Sequence, residues 1–530
     1  MSCNTAISKI GGLLYMPAGL RHLEAILTGF LSVLYGPCTI RGWQSLLLYC
    51  SIPDLRVFFF FMTSSSLFTW FSSAIGLLAG YWYHVQRKRK AESQKQAPLP
   101  MTWLEAHMLK NDAFPAYMQA SPICYVINSA MFFRDGLPAT EEVEDVLTNK
   151  LLKYHRFSSV ADPDHRTWKA VDADVKDHLV YHQPVADTQA LEDKINDIIS
   201  VPLNPAKPLW EVHMVPVRDG EDCMLFRTHH SMADGLSLVT AYQCLATDVE
   251  GAPAEVIPGK PMPSRPEMTL TRLILMFLDS VLSSAEWLHM SIVLVICAGL
   301  VQGGLCCSNP SLLEYVRAIT KRTPKKVTIN DVLLSATVGA IRAYSGETVD
   351  HTTTMRTLLA LGFPANLPDK EPTDRLTNSF SINACDLSKA IRATDPVSRV
   401  LATNTAMNRL KKSMEAFVEF WLMNVLFPLL PVQVYQYIAK RYFANHTMLF
   451  SNVPGPANSL YFAGKEVTGV QGIFLDAIPE VTLISYNGKV YYNVTLDHKV
   501  VKDWPSFEQL FRKELVELGE AVGVPSDISL

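Results

Sequence analysis

The sequence lacks the residue spacings that a structural metal site needs. Its ten cysteines are scattered, with only Cys306 and Cys307 adjacent and no Cys-x-x-Cys pair. This pattern indicates reduced thiols and predicts that no metal is bound. A basic excess is also missing, because 47 lysines and arginines stand against 51 aspartates and glutamates, for a net charge of −4. The charge balance therefore gives no electrostatic reason to expect nucleic acid as a partner.

Covalent serine catalysis has no support in the sequence either, since no Gly-x-Ser-x-Gly nucleophile elbow occurs. Internal repeats and low-complexity tracts are absent as well. A chain of 530 residues is too long for a single hydrophobic core. We therefore expect two lobes of about 200 residues each, preceded by an additional N-terminal segment.

Charged residues are missing from one long stretch near the N-terminus, Val57–Gln86. Its apolar core, Val57–Tyr83, exceeds the roughly 20 residues that cross a bilayer, so a transmembrane helix is predicted there. Four cations, Arg87–Lys90, follow at once and stay in the cytosol under the positive-inside rule. The sequence therefore predicts a lipid bilayer as a partner. The expected location is the endoplasmic reticulum membrane or a lipid droplet, with everything after residue 90 facing the cytosol.

Two further apolar stretches lie inside the chain, Leu288–Leu305 and Met414–Tyr437. A single crossing by the first would place His230 and Asn330, which belong to two motifs described below, on opposite sides of the membrane, where they could not build one site. We therefore expect Leu288–Leu305 to be either an element that dips into the membrane or a buried helix that connects the lobes. For Met414–Tyr437, Glu419 and two prolines favour an interfacial position over a span.

The run from His229 to Gly235, His-His-Ser-Met-Ala-Asp-Gly, carries the clearest chemical signal. It follows a predicted β-hairpin built from Leu209–Val217 and Cys223–Thr228, and it precedes Leu236–Leu245, which has helical spacing. A histidine at a strand end suits general-base work, because a pKa of about 6.5 leaves the imidazole neutral near neutral pH. A packed histidine pair beside an ordinary turn is the alternative, and the complete seven-residue pattern favours catalysis.

Several other motifs occur in an informative order. They are Pro202-Leu203-Asn204, Pro208-Leu209-Trp210-Glu211, Asn330-Asp331-Val332-Leu333-Leu334 and Ser451-Asn452-Val453-Pro454-Gly455-Pro456. With the histidine run, they make the chain resemble the wax ester synthase/diacylglycerol acyltransferases, a family of the HHxxxDG acyltransferases, over roughly residues 100–525. The sequence departs from the family pattern at Asn204, where aspartate is common, and at 364–368, where an arginine is missing. These departures leave the substrate range open.

The resemblance implies a two-lobed α/β fold like that of chloramphenicol acetyltransferase, with a transmembrane region added at the N-terminus. It also implies that His230 is the general base, with His229, Asp234 and Gly235 completing the motif and Asp234 holding the loop and the imidazole in place. The implied reaction is O-acylation by acyl-CoA, which yields triacylglycerol from diacylglycerol or wax ester from a long-chain alcohol. Acyl-CoA is then a co-substrate, and no permanently bound cofactor is expected.

Other site residues follow from the same resemblance. Asn330 and Asn452 are candidate donors to the oxyanion, and Asp331 belongs to the same motif as Asn330. The segment that precedes the histidines supplies residues expected to bind substrate or to be structural, namely Pro208, Leu209 and Trp210. A basic cluster just before Asn330 is expected to hold the phosphates of coenzyme A, to contact anionic lipid headgroups or to remain a solvated loop. Its members are Lys321, Arg322, Lys325 and Lys326.

These observations divide the chain into four parts. They are a membrane anchor with its linker (1–98), a lobe with the histidine motif (99–265), an apolar membrane-associated connector (266–316) and a second lobe (317–530). Two other functions stay open, a catalytically inactive lipid-binding scaffold and another HHxxxDG branch such as an amide-forming condensation enzyme. The intact His230 and Asp234 argue against the first. The lack of an appended carrier domain argues against the second.

Local patterns predict several individual elements. Thr140 is expected to cap a helix whose Val143, Leu147, Leu151 and Tyr154 share one face. Further helices are expected at about 328–344, 398–411 and 507–518. The dipeptide Asn487-Gly488 predicts a tight hairpin between strands at 481–486 and 489–496.

Overall fold

The structure is a computed structural model. It describes residues 99–110, 125–254, 301–306, 312–346, 349–363, 376–476, 478–497 and 504–525. The chain divides at residue 88 into two units, and every described residue belongs to the second, Arg89–Leu530. The transmembrane helix predicted at Val57–Tyr83 and the anchor predicted at 1–98 therefore lie outside the described residues. Among the described helices, none combines the length and the apolar content that a bilayer crossing requires.

The first lobe alternates helices and strands up to residue 254. The helices described there are α1 (Trp103–Lys110), α2 (Thr140–Asn149), α3 (Thr188–Ile199) and α4 (Gly235–Leu245). The strands are β1 (Leu99–Pro100), β2 (Val126–Phe133), β3 (Ser159–Asp162), β4 (Thr167–Ala170), β5 (Leu179–Tyr181), β6 (Val185–Asp187), β7 (Trp210–Val215), β8 (Val217–Asp219) and β9 (Asp222–His229). Single 3₁₀ turns lie at Leu151–Lys153, His155–Ser158 and Val175–Asp177.

The second lobe follows the same alternating plan. Its described helices are α5 (Leu312–Arg322), α6 (Ile329–Ser345), α7 (Ser388–Arg392), α8 (Pro396–Lys412), α9 (Glu415–Trp421), α10 (Val432–Ala444) and α11 (Trp504–Ala521). Its strands are β10 (Val301–Cys306), β11 (Arg356–Gly362), β12 (Phe380–Asp386), β13 (Met448–Pro454), β14 (Tyr461–Phe462), β15 (Lys465–Glu466), β16 (Gly469–Phe474), β17 (Glu480–Tyr486) and β18 (Lys489–Asp497). A π-helical turn, Leu422–Leu426, and a 3₁₀ turn, Phe427–Leu429, continue α9 towards α10.

The sheet of the second lobe has six strands in the order β10-β18-β17-β13-β11-β12. Its central pairs, β11 with β13 and β13 with β17, are parallel, and the other pairs are antiparallel. Apolar side chains of α6 and α11 cover one face, where Val332, Leu333, Phe511 and Leu515 are buried in one core with Leu483. Fully burying each such side chain contributes about 1.5–3 kcal/mol.

The edge strand β10 corrects the interpretation of Leu288–Leu305. Neither a helix nor a membrane-dipping element extends to the end of that stretch, because Val301–Cys306 pairs antiparallel with β18, from Val301 opposite Asp497 to Cys306 opposite Tyr492. Two adjacent glycines in β10 disfavour a helix there. Helix α5 also packs into the second core, so the predicted connector 266–316 contains parts of the second lobe.

The sheet of the first lobe has five strands in the order β16-β2-β9-β7-β5. Strand β16 comes from the C-terminal half of the chain and pairs antiparallel with β2, from Gly469 opposite Phe132 to Phe474 opposite Ile127. The boundary drawn at residue 265 therefore separates the lobes in sequence but not in space. The two-lobed α/β architecture that the sequence predicted is otherwise the one observed.

Most of the local predictions are confirmed. Helix α6 begins with a capping box between Thr328 and Asp331, and Asp395 caps α8 by accepting from the Ser398 amide. The β17–β18 hairpin turns at Asn487 and Gly488, which have φ angles of 46° and 74°. The prediction for α2 is wrong in two respects. The helix ends at Asn149, so Leu151 lies in the following 3₁₀ turn and Tyr154 comes after that turn, and neither is on the helix face. Thr140 is the first helical residue of α2 rather than its cap, and Ala139 at the cap position makes no side-chain hydrogen bond.

Candidate active site

The histidine motif forms the turn between strand β9 and helix α4. The backbone amide of His229 donates to the Leu209 carbonyl (3.0 Å), and that of His230 donates to the Tyr125 carbonyl (2.6 Å). Asp234 then ends the turn as the N-cap of α4, with Oδ1 accepting from the Ser237 amide (2.8 Å). The first sheet and α4 therefore fix both ends of the segment that carries His230.

Asn378, which the sequence analysis did not single out, sets the proton position on His230. The Asn378 amide nitrogen donates to the Ser231 carbonyl (3.1 Å) and to Glu105 Oε1 (3.3 Å). Its Oδ1 therefore faces His230 Nδ1 at 3.0 Å and accepts the Nδ1 proton. In the neutral imidazole, Nε2 is then the nitrogen without a proton.

A buried ion pair between Glu105 and Arg156 supports the contact between Asn378 and His230. Glu105 is fully buried, and its Oε1 lies 2.9 Å from Arg156 Nη1. The same guanidinium nitrogen donates to the carbonyls of Ser231 (3.2 Å) and Met232 (2.7 Å). Because Glu105 also accepts from Asn378, the ion pair orients both the turn after His230 and the amide that faces its imidazole.

The surroundings of His230 keep its imidazole neutral. Its ring lies between two phenylalanines, with centroid distances of 5.2 Å to Phe380 and 5.5 Å to Phe474. Burial lowers the pKa of His230 below its usual value, while the negative charge of Asp234 and the hydrogen bond to Asn378 oppose that shift. A neutral imidazole with its lone pair on Nε2 can accept a proton.

The contacts of Asp234 and His229 hold the histidine turn and the neighbouring chain segment in place. Asp234 Oδ2 accepts from the Ser379 amide (2.8 Å), and the Asp234 amide donates to the Thr377 carbonyl (2.9 Å). Asp234 thus ties the segment that carries Asn378 to the histidine turn. Burial lowers the pKa of His229 to about 3, and its Nδ1 contacts the Ser231 hydroxyl (2.8 Å).

A cavity of about 660 Å³ opens beside His230. Its wall combines α4, strands β11, β12, β13, β16 and β17, and the segment from α9 to α10, so both lobes contribute to it. The lining is largely apolar, with side chains such as Leu236, Ile382, Met423 and Phe427. Its volume is within the range of about 300–1,000 Å³ that is usual for small-molecule sites. The cavity therefore suits an apolar ligand presented to an imidazole.

Two family models match the chain. The model of the wax ester synthase/diacylglycerol acyltransferase catalytic domain matches residues 126–295, and that of the family's C-terminal domain matches residues 376–519. Together they cover more than half of the 530 residues. The chain belongs to the wax ester synthase/diacylglycerol acyltransferase family. Membership gives the general activity, that of an acyl-CoA-dependent O-acyltransferase that makes neutral lipid.

Similar proteins are distant in sequence but match most of the chain. Wax ester synthase/diacylglycerol acyltransferase 5 of Arabidopsis thaliana is 22% identical over 462 residues, covering 72% of this chain and 88% of the relative. Number 6 of the same plant is 23% identical over 477 residues, covering 75% of this chain and 90% of the relative.

Solved structures share the architecture. Trichothecene 15-O-acetyltransferase from Fusarium sporotrichioides matches with a TM-score of 0.53 at 13% identity, over 78% of this chain and 93% of that one. The wax ester synthase/diacylglycerol acyltransferase from Marinobacter aquaeolei VT8 matches with a TM-score of 0.47 at 15% identity, over 76% and 95%. The first of these two matches confirms the predicted two-lobed α/β fold.

The family motifs of the second lobe meet at the cavity. Asn452 lines it together with His230, Asp234 and Gly235, and its amide nitrogen donates to Oδ1 of Asn330 at the start of α6. Asp331 does not reach the cavity. Its Oδ2 instead accepts from the amides of Thr328 (2.7 Å) and Asn404 (2.9 Å), which holds the helix start in place.

Gly455 explains the glycine of the family's NVPGP motif. A Cβ at this position would overlap the carbonyl oxygen of Ser485 on the neighbouring strand β17. Only glycine allows this close approach, so the motif fixes the end of β13 and with it the place of Asn452. At Gly235 the steric demand is milder, because a Cβ there would lie 3.4 Å from Val453 Cγ2.

The remaining predicted residues lie away from the cavity lining. Trp210 is fully buried, donates to the Phe157 carbonyl (2.9 Å) and stacks on His178 at 4.2 Å, while Pro208 and Leu209 are buried just before it. The basic cluster is exposed, and one of its members, Arg322, donates to the Gly523 carbonyl (2.7 Å). Among the described residues, no group of three histidine, cysteine or carboxylate side chains is placed to hold a metal.

Proposed function

We propose that the protein transfers a fatty acyl group from acyl-CoA to a hydroxyl group, with His230 as general base. The products are triacylglycerol from diacylglycerol, wax ester from a long-chain alcohol, or both. The observation that carries this proposal is the hydrogen bond from His230 Nδ1 to Asn378, which leaves an unprotonated Nε2 in the wall of an apolar cavity.

The proposed reaction needs no covalent enzyme intermediate. His230 Nε2 takes the proton of the acceptor hydroxyl as its oxygen attacks the thioester carbonyl carbon. The carbon–sulfur bond of the tetrahedral intermediate then breaks, and the imidazolium returns the proton to the departing thiolate. The products are an oxygen ester and free coenzyme A. A positioned base of this kind contributes about 10²- to 10⁴-fold in rate.

Asn452 is the proposed donor to the oxyanion of that intermediate. A side-chain amide has two N–H groups, and Asn330 accepts from one of them. The second is then available to the developing charge, and Asn330 acts by orienting Asn452. Loss of one oxyanion donor lowers kcat by about 10²- to 10³-fold, so Asn452→Ala should fall in that range.

The exposed basic cluster is proposed to bind the phosphates of coenzyme A. Lys326 lies four residues before Asn330, which contacts the cavity-lining Asn452. Lys325→Ala with Lys326→Ala should raise the KM for acyl-CoA, more strongly at low salt, because exposed charges are screened by ions. Lys411→Ala with Lys412→Ala, an exposed pair at the end of α8, is the matched control. Equal KM values for the two double variants would contradict the assignment.

A lipid surface is the proposed location, either the cytosolic face of the endoplasmic reticulum or a lipid droplet. Large apolar side chains are exposed on the segment that also lines the cavity, among them Leu429 (66%) and Tyr437 (60%). Tyr437 and the exposed Val434 are three residues apart on α10 and share one face. Leu429→Ser with Tyr437→Ser should raise the KM for diacylglycerol presented in phosphatidylcholine vesicles but not for a dispersed short-chain acceptor. An equal effect on both acceptors would refute this location of the segment.

The central test is ester synthesis by purified protein with labelled acyl-CoA and a panel of acceptors, analysed by lipid class. His230→Ala should lower the rate of synthesis with every acceptor by about 10²- to 10⁴-fold. His229→Gln is the control, because His229 is not part of the cavity lining and is expected to affect stability more than turnover. Undiminished synthesis by the His230 variant would refute the proposal, and no synthesis by the parent would favour a lipid-binding scaffold.

A further inference from the structure

Glu480 is a carboxyl group inside the apolar cavity that the proposed reaction does not use. It is the first residue of β17, and its side chain lines the cavity with those of Thr482 and Ile484, which alternate along the same face of the strand. Only 4% of Glu480 is exposed. An acidic side chain at such a place is unusual, because an unpaired carboxylate is rarely buried.

The hydrogen-bonding capacity of the Glu480 carboxyl group is only partly used. Its Oε1 accepts a long hydrogen bond from the Thr482 hydroxyl (3.5 Å). Its Oε2 has no hydrogen-bond partner among the residues that the structure describes. Burial raises the pKa of Glu480 well above its usual value, and the negative charge of Asp476 adds to the shift. The protonated acid offers one O–H donor to the cavity.

Strand register places Glu480 at a distance from the reacting atoms. Ile484 pairs with Val453, which lies against Gly235 of the histidine motif. Glu480 precedes Ile484 by four residues, which is about 13 Å along a strand. Glu480 is therefore one of several polar groups in the cavity wall, which also include Asn452 and Asp476, and four residues of β17 separate it from the row of the sheet that contacts the histidine motif.

We propose that Glu480 is the polar anchor of a second subsite, where its carboxylic acid donates a hydrogen bond to a neutral oxygen of a bound lipid. This inference rests on the proposed acyl transfer. The ligand is a long-chain molecule with an ester, ether or hydroxyl oxygen in addition to the reacting group. That oxygen comes either from an acylglycerol acceptor, through one of its esters, or from an oxygenated acyl chain. An unsubstituted long-chain alcohol and an unsubstituted acyl chain provide no such group.

The test compares Glu480→Leu, Glu480→Gln and the parent in full-length purified protein. Two acceptors, dioleoylglycerol and hexadecanol, are paired with palmitoyl-CoA, and hydroxystearoyl-CoA is compared with stearoyl-CoA using hexadecanol. Glu480→Leu should raise KM by about tenfold for the oxygen-bearing substrate alone, because a buried hydrogen bond is lost. Glu480→Gln keeps a neutral donor and should retain most of the preference. Ile484→Val, on the same face of β17, controls for a change of cavity shape.

The outcomes show which substrate supplies the oxygen that Glu480 binds, and they distinguish failure of the subsite from failure of the proposed acyl transfer. A selective loss with dioleoylglycerol assigns the oxygen to the acceptor, and a selective loss with hydroxystearoyl-CoA assigns it to the acyl chain. Equal changes on all substrates, or no change, would overturn the subsite while leaving the acyl transfer intact. If the parent forms no ester with any pair, the proposed function itself fails and the subsite falls with it. Thermal unfolding of each variant verifies that it is folded.

Discussion

Replacing Asn378 by alanine tests whether the imidazole of His230 works as a single tautomer. The Asn378 side chain links His230 Nδ1, the Ser231 carbonyl and Glu105 across 3.0, 3.1 and 3.3 Å. Its loss removes the acceptor that holds the proton on Nδ1 and frees the ring to rotate or to protonate Nε2. Binding of acyl-CoA should change little, because Asn378 does not line the cavity.

The magnitude follows from the hydrogen bonds that disappear. Losing a buried hydrogen-bond partner costs about 1–3 kcal/mol, and each 1.36 kcal/mol is about tenfold in rate. We therefore expect Asn378→Ala to lower kcat by about 10- to 100-fold with a nearly constant KM. The pH profile gives a second readout. The bond to Asn378 raises the pKa of His230, so its removal should shift the acid limb of kcat/KM to lower pH.

Asn378→Asp should shift the acid limb of the pH profile in the opposite direction. A carboxylate facing Nδ1 stabilises the imidazolium, so the acid limb should shift to higher pH than in the parent. Asn149→Ala, an exposed asparagine on α2, is the matched control and should leave both kcat and the profile unchanged. The assay is initial-rate ester synthesis from pH 5 to 9 with folded protein verified by thermal unfolding. A kcat within twofold of the parent for Asn378→Ala, or shifts of the same sign for both variants, would refute the reasoning.

Three further predictions concern stability. Asp331→Ala removes half of the capping box of α6 and the bond from Asn404, and should lower the unfolding free energy in urea by about 1–2 kcal/mol without changing kcat per folded molecule. Gly455→Ala should lower the melting temperature and also kcat, because the new Cβ pushes β13 from β17 and displaces Asn452; a fully active variant would contradict this. Burial raises the pKa of Glu480 above 4.5, so the unfolded chain releases this proton first and stability falls as the pH rises from about 4.5 towards the folded pKa. The melting temperature of Glu480→Gln should therefore be higher than that of the parent at pH 8 and close to it at pH 5.

Features that depend on neighbouring residues could be predicted from the sequence. The strand predicted at Cys223–Thr228, the helix predicted at about 328–344 and the turn at Asn487-Gly488 follow from short-range patterns, and each is observed. The resemblance also brought His230 and Asn452 into one site, although they lie far apart in the chain. That assignment came from the order of motifs and not from any distance that the sequence contains.

The missed residues depend on contacts between distant segments. Asn378 lies 148 residues from His230, and nothing in the triplet Thr377-Asn378-Ser379 distinguishes it from a polar loop. Glu105 and Arg156 meet only because the fold brings their segments together beneath the turn after His230. The apolar end of Leu288–Leu305 was interpreted as part of a membrane-dipping element or of a connecting helix, but Val301–Cys306 forms the edge strand β10, and its partner β18 lies almost 200 residues later in the chain.

The pairing of β16 with β2 has a consequence for biosynthesis. Until residues 469–474 have left the ribosome, β2 presents an open row of backbone amides and carbonyls at the border of the N-terminal sheet. Translation proceeds at about 5–20 residues per second, so the nascent chain carries this unprotected border for many seconds. The N-terminal sheet that holds the histidine motif is therefore completed only after this late segment of the chain has emerged, and not when the motif itself is synthesised.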